Sequence, residues 1–543
     1  MVTETKELTK PTNQEMLDFL GTKLNRNLSM YFQSCQRCGI CADNCHYYKA
    51  TNDPKMIPAY KAELVRKLYK KRGGGLRNLV PWFGSKNGKL SDEELGVLTD
   101  SVFGRCTMCR RCTIGCPMGI DVAMIMRACR GMLTLNHMAP KGLQDTVDIH
   151  LKTGNNMGLE NEEFVATVEW MEEELQDDLG DSTAKIPIDK KGAKYLWVLN
   201  PREVKYFPLL LKAQAKIFHA AGEDFTVSSR YWDVTNYALF NGDDVAGRTI
   251  SGYVIEEADR LGINSVLCTE CGHGFRQLKQ MAPIWLKRND FTVKAFVEVV
   301  ADYIKRGRIK LDPTVNTERV TYHDPCNQGR SGSFIDEPRY ILRASVMDYV
   351  DTDPCGRDNW CCGGGGGALT MSEFRNRRLD IAKVKAEQIR ATGAKIIATS
   401  CHNCIDQLNE INRHYELGLK VVNTCELTAD ALIMPPPKEP ELRDDEGYMN
   451  DPEKWDWEMA QTIAAGERIG LLTEEQKRVI EYVRKYYHSN SDWPLPTRIK
   501  KDLGCSNPCR MFQGPPETIF KIAGLPNPRD RSKWGTRHFE ICP

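Results

Sequence analysis

The chain has 543 residues, 74 basic and 73 acidic, with a net charge of +1. That balance excludes the broad basic surface a nucleic-acid partner requires, so none is expected. No stretch approaches the ~18 consecutive apolar residues of a membrane helix, and the polar opening MVTETKELTK lacks the apolar core of a secretory signal. The expected location is therefore cytoplasmic, with any membrane association peripheral. Twenty-one cysteines in such a chain point to metal or redox chemistry rather than to disulfides.

The first cysteines form two runs of one spacing. Residues 35–45 read CQRCGICADNC and residues 106–116 read CTMCRRCTIGC, both C-x2-C-x2-C-x3-C. Three thiolates so spaced curl round one [4Fe–4S] cube, and the fourth reaches the other cube of a pair. Cys35, Cys38, Cys41 and Cys116 are assigned to one cubane cluster, and Cys106, Cys109, Cys112 and Cys45 to the other. Pro117 follows the second run, whereas His46 follows the first. The intervening residues read as helical: 58–71 is periodic and basic, and Ser91 with Glu94 makes a capping box. Cys129, within DVAMIMRACRGML, reads as core. A helical di-cluster domain over residues 1–150 is expected.

The second cluster of cysteines is built differently. The strand-like RVTYHD leads to Pro325-Cys326, then NWCCGGGGG carries Cys361 and Cys362, and SCHNC carries Cys401 and Cys404. Neighbouring thiols meet one object only where the backbone turns sharply, which glycine permits. Gly363, Gly364 and Gly365 are expected to bring backbone N–H groups under that object. Segment 372–393 reads as an amphipathic helix ended by glycine, and AKIIATS as a buried strand, giving a βα unit with thiols at strand ends. Cys355 reads as local packing.

An earlier stretch echoes this unit. WVLNPREVKYFP, SRYWDV and ADRLGINSVLCTEC match its three parts, but only Cys268 and Cys271 remain. Arg202, Asp233 and Val234 stand approximately at the other cysteine positions. Cys268 and Cys271 either line the same cleft or are relics; two thiolates alone make an incomplete site, so they are read as non-ligands. His273 and His402 are either proton donors at the site or structural imidazoles. The duplicated α/β region is placed at 190–435.

The pattern C-x34-CC-x38-C-x2-C resembles the cysteine-rich "CCG" domain of heterodisulfide reductase catalytic subunits. The resemblance implies that Cys326, Cys361, Cys362, Cys401 and Cys404 hold one non-cubane [4Fe–4S] cluster that breaks or makes S–S bonds.

Pro435-Pro436-Pro437 opens a linker, beyond which Thr473 and Gln476 make another capping box. Two helices joined through Trp493-Pro494-Leu495-Pro496 admit a helix–turn–helix reading, but no basic stripe accompanies them. Residues 444–543, above all KIAGLPNP, resemble the small, mainly helical DsrC/TusE sulfur carriers, whose penultimate cysteine on a C-terminal arm carries sulfur. Cys542 is penultimate here. Phe520 replaces the second arm cysteine of that family, and Cys505 and Cys509 are substitutes for it.

The fold class expected is α+β multidomain. Residues 30–435 resemble the DsrK and heterodisulfide reductase D family. The resemblance implies a cytoplasmic oxidoreductase subunit with two cubanes and one non-cubane cluster. It would take electrons from a membrane cytochrome b (DsrM-like) partner in a DsrMKJOP-like complex. It would reduce, or form, a disulfide or trisulfide on a DsrC-type carrier. The alternatives are a heterodisulfide reductase acting on small thiol coenzymes and a non-catalytic electron relay.

Overall fold

The computed structural model describes residues 11–71, 90–434, 442–444 and 446–528. The fold is α+β and multidomain, and the chain divides in the main at Pro435–Pro436 into two compact units.

The first unit begins with helices. Asn13–Thr22 starts at a Thr12–Glu15 capping box, Pro58–Lys71 follows, and Asp92–Thr99 starts at the Ser91–Glu94 box. Helix Val122–Leu135 runs through their middle, and Met16, Leu20, Val65, Leu98 and Met126 close round it with Cys129 in the same core. A wider turn over Asp100–Gly104 delivers the chain into the second cysteine run.

Two parallel sheets follow. Tyr195–Val198 (β1), Phe225–Thr226 (β2), Ser265–Cys268 (β3) and Thr292–Ala295 (β4) lie in the order β2-β1-β3-β4. After Lys310–Leu311 (β5), the strands Arg319–Tyr322 (β6), Asp348–Asp351 (β7), Ile396–Thr399 (β8) and Lys420–Asn423 (β9) lie in the order β7-β6-β8-β9. The two orders are the same, which is the duplication read from the sequence. Leu432–Ile433 (β10) pairs antiparallel with β5. β1 and β8 are buried at every residue, as expected of strands covered by helices on both faces. In each sheet the chain leaves the first strand for opposite sides, so a crevice opens at the carboxyl ends of β1 and β3, and again of β6 and β8.

Segment 372–393 departs from a single helix. It is a turn at Ser372–Phe374, then helices Arg375–Ile381 and Lys383–Arg390. The change of face at Ala382 explains the break. Ile381 packs against Cys45, Tyr47 and Met56 of the cysteine-run domain, whereas Ala382, Ala386 and Ile389 pack on Ile397 of β8.

The second unit is helical. Trp457–Gly466 and Glu474–Asn490, capped by Asp456 and Thr473, pack with Pro496–Leu503 and Pro516–Ile522. Their core includes Ala460, Ile463, Val479, Ile480 and Phe520. Within KIAGLP the chain turns at Gly524 with φ +64°, and a Cβ there would lie 2.1 Å from the Trp455 ring. Phe520, standing where related chains have a second cysteine, is fully buried. Cys505 is a free thiol and Cys509 is disulfide-bonded. Cys542 lies outside the described residues. No described helix is long and apolar enough to cross a membrane.

Candidate metal centres

The two cysteine runs use the same backbone device. Arg37 and Gly39 in the first, and Met108 and Arg110 in the second, take positive φ on either side of Cys38 and Cys109. Such reversals curl successive N–H groups inward, toward whatever the sulfurs hold. Cys35, Cys38, Cys41 and Cys116 line one cavity of about 830 Å³. Cys45, Cys106, Cys109 and Cys112 line another of about 350 Å³, with Cys112 bordering both. The cross-over of the fourth cysteines, Cys45 and Cys116, is thus present in space. Buried Lys61 reaches into the second group and donates from Nζ to Arg105 O at 2.6 Å. Burial opposes its charge, but thiolates of Cys45 and Cys106 outweigh that and raise its pKa. Burial also pushes the Cys41 thiol up to about 11.

The third group gathers at the ends of β6 and β8. Cys326, Cys361, Cys362, Cys401 and Cys404 line a single cavity of about 310 Å³, together with His323, Asn403 and Gly365. All five are free and buried. Cys362 Sγ lies 3.7 Å from Cys404 Sγ. The thiols share protons along a chain. The bond to Cys109 holds Cys361 protonated and leaves Cys109 low. Cys361 in turn lowers Cys362, which raises Cys404, which lowers Cys401 to about 7. Buried sulfurs in contact cannot all ionise unless a cation joins them, and a bound iron centre takes every one as thiolate. The donor set therefore fits an iron–sulfur group at each of the three cavities.

The glycine run has several jobs. Gly363 N–H donates to Cys361 Sγ at 3.4 Å, and Gly365 borders the cavity. Gly364 packs instead beneath the loop, where a Cβ would meet Asn403 O at 2.9 Å. Gly366, at φ +65°, allows the closest approach: a Cβ there would lie 2.6 Å from Thr107 O in the second cysteine run. The run thus seats the third group directly on the second. Arg130, fully buried, ties that seam by donating to Val102 O, Cys106 O, Phe240 O and Gly366 O. Arg111 lies 3.5 Å over the Trp360 ring and donates to Asp358 O at 2.8 Å. His46, Cys109 and Cys361 come within 4.8 Å of one another.

His323 belongs to the third group as well, within 4.8 Å of Cys362 and Cys404. Its Nδ1 lies 3.3 Å from Asn359 Nδ2, and Asn359 Oδ1 accepts from Lys385 Nζ at 2.6 Å. Burial pulls the Lys385 ammonium down to about 7. His323 was visible in the sequence only as a letter before Asp-Pro-Cys, and nothing marked Lys385, Arg130 or Thr107. The two histidines singled out behave otherwise. His402 Nε2 is 2.5 Å from Glu203 Oε1; burial opposes its charge, yet that carboxylate raises its pKa. His273 is held neutral, its pKa pushed by burial down to about 3.

The first repeat presents no matching group of thiols among the described residues. Arg202 pairs with Asp406 at 2.7 Å. Asp233 accepts from Asn156 N and Thr235 N, and Val234 is core. Cys268 is buried at the end of β3. Cys271 stands 3.5 Å from both Asn200 Nδ2 and His273 Nδ1. Cys355 does not border the third cavity and carries the turn at Gly356–Asp358.

Comparison with known proteins agrees with this layout. Residues 31–120 match a family described as 4Fe-4S dicluster domain, 320–409 one described as Cysteine-rich domain, and 438–530 one described as DsrC like protein. The Hdr-like menaquinol oxidoreductase iron-sulfur subunit 2 of Archaeoglobus fulgidus is 28% identical over 461 residues, covering 76% of this chain and 81% of that protein. The D subunit of the dihydromethanophenazine:CoB–CoM heterodisulfide reductase of Methanosarcina mazei is 28% identical over 420 residues, 74% of this chain and 94% of its own. A probable membrane-anchored ferredoxin of Chromohalobacter salexigens is 26% identical over 436 residues, 77% of this chain and 62% of its own. The chain is an iron–sulfur protein similar to the D subunits of heterodisulfide reductases, with a DsrC-like domain following the cysteine-rich one in sequence.

Proposed function

We propose that this chain is a DsrK-type catalytic subunit of a membrane-bound, quinone-linked complex. It sits peripherally on the cytoplasmic face against a DsrM-like cytochrome b in a DsrMKJOP-like assembly. Cys35, Cys38, Cys41 and Cys116 hold one cubane, and Cys45, Cys106, Cys109 and Cys112 the other. Cys326, Cys361, Cys362, Cys401 and Cys404 hold a non-cubane [4Fe–4S] cluster. The substrate is a disulfide or trisulfide on a DsrC-type carrier. Reducing R–S–S–R′ takes two electrons and two protons and yields two thiols; sulfur oxidation runs the same balance in reverse. When bound, the clusters pass electrons singly and the third offers iron to one sulfur of the S–S bond.

The observation that carries the reading is the contact between Cys109 of the second group and Cys361 of the third, within 4.8 Å. One group is thus continuous with the next, while Cys38 of the first lies exposed, where a partner has access. The chain's own residues supply the rest. Gly363 N–H and Thr107 Oγ1, 3.6 Å from Cys361 Sγ, fix that sulfur's orientation. Lys385 Nζ holds a proton that Asn359 and His323 place beside Cys362. Cys542 is proposed as a redox-active thiol of the terminal arm, either a donor to the site or a competitor of the free carrier.

The test is iron and sulfide quantitation with electron paramagnetic resonance on anaerobically purified full-length protein. About twelve irons per chain are expected if each centre holds four. Disulfide reduction of a DsrC-type carrier by an artificial donor should proceed, and Cys542→Ala should change its turnover or its KM. Turnover with CoB–CoM-like heterodisulfides but not with the carrier would select the small-thiol alternative, which the Methanosarcina similarity favours. No reduction of either, with all iron present, would leave an electron relay.

A further inference from the structure

The first cysteine run ends Cys45-His46, where the second ends Cys116-Pro117. His46 opens the helix His46–Thr51 and is 2% exposed. Neither of its ring nitrogens has a hydrogen-bond partner among protein nitrogens and oxygens. Buried polar groups seldom remain so. What the ring faces is sulfur: one nitrogen lies within 4.8 Å of both Cys109 Sγ and Cys361 Sγ. The neighbouring donors are committed elsewhere. Arg111 is engaged by Asp358 O and the Trp360 face, and Arg330 by the carbonyls of Cys109, Arg357 and Asn359. Tyr47, tilted against the ring at 4.7 Å, and the surrounding Met56 and Ile381 keep the site dry.

We infer that His46 is a bridging residue between two metal centres. Its N–H is shared by the sulfur of Cys109, in the second cubane set, and that of Cys361, in the third set. The inference rests on the cluster assignment proposed above. A neutral imidazole has one N–H to give, and the nearest acceptors are these two sulfurs. Hydrogen bonds to ligating sulfur stabilise the electron-rich form and raise the centre's potential. A donor held between both sulfurs therefore biases both centres and provides a short bonded path from one to the other. No bond is made or broken and no proton leaves His46. A proline at this position, as after Cys116, has no N–H to share.

The test uses full-length holoprotein carrying ring-¹⁵N histidine. Hyperfine spectroscopy of the reduced protein should show a weak imidazole ¹⁵N coupling on a cluster signal, and His46→Leu should abolish it. In His46→Leu the midpoint potential of the second cubane should shift negative at unchanged iron content, and His46→Gln, which keeps an N–H donor, should restore part of the shift. Three results would overturn the inference: no imidazole coupling in fully loaded wild-type protein, a coupling that survives His46→Leu, or one with the strength of a nitrogen bound directly to iron. If the cluster assignment itself is wrong, wild-type protein will hold about eight irons and lack the third centre's signal. That failure is read without the label.

Discussion

The two α/β repeats have the same strand order and opposite interiors at the same place. Where the second repeat leaves β7 and runs through glycines, the first leaves β2 and runs through Trp232, which stacks on Phe164 at 4.2 Å. One loop is filled by an indole and the other is emptied by missing side chains. At the strand ends the first repeat has a buried polar network in place of thiols: Glu203 accepts from Gln214 Nε2 at 3.1 Å and pairs with His402 of the second repeat. The fold supplies a crevice twice, and residue identity at a few strand ends decides whether it becomes a cavity or a core. The filled copy braces the open one, since His402 stands between Cys401 and the first repeat's carboxylate.

The sharpest way to break this comparison is to remove one thiol from each copy. Cys362→Ser should cost about four of about twelve irons and bring carrier reduction to background, with both cubanes still reducible. Cys271→Ser should leave iron unchanged. Iron, sulfide and paramagnetic resonance on both variants check this, and carrier reduction that survives Cys362→Ser would refute the assignment of the third site.

Glycines give the next contrast. Gly366→Ala puts a side chain at φ +65° against Thr107 O and should destabilise the first unit by roughly 2–4 kcal/mol, combining backbone strain with overpacking. Gly222→Ala, at φ +58° after the first repeat's helix Pro208–Ala221, meets nothing within 4 Å and should cost only about 1–2 kcal/mol from its backbone conformation. Denaturant midpoints measure both. Equal losses would mean the seam with Thr107 is not tight.

The third contrast is in pH. Glu270 is buried in the first repeat, and burial raises its pKa to about 8. The native state keeps its proton where the unfolded chain, with a pKa near 4.3, has lost it. Stability from this group therefore falls as pH rises from about 4.3 toward 8 and is flat above. Glu270→Gln keeps an acceptor for Cys425 N–H but does not titrate. The variant should match wild type near pH 5 and exceed it by on the order of 3 kcal/mol at pH 8, read from melting curves across that range. A pH-independent difference would show that Glu270 is already ionised in the fold. The smallest effect belongs to Cys268→Ala, about 1–2 kcal/mol from one lost buried sulfur, with no change in iron.

The sequence by itself determined the parts list. The spacing of the two runs fixes a cross-over of Cys45 and Cys116, because a short spacer lets three sulfurs curl round one body and sends the fourth on. Apolar runs such as YLWV and IIAT fix buried strands, and Ser91 with Glu94 fixes a helix start, since these signals act within a few residues. Only the tertiary structure decided how the parts meet. Cys109 and Cys361 are 252 positions apart (361 − 109) yet within 4.8 Å. Gly366 matters because Thr107 O lies under it, and Arg130 because four carbonyls from separate segments converge on it. Lys385 and Asn359 join the site from a helix and a loop that no local pattern connects. His46 stood out in the sequence as the residue in place of a proline. Its two sulfur neighbours come from other segments, and their approach is set by packing over distances that no spacing rule along the chain encodes.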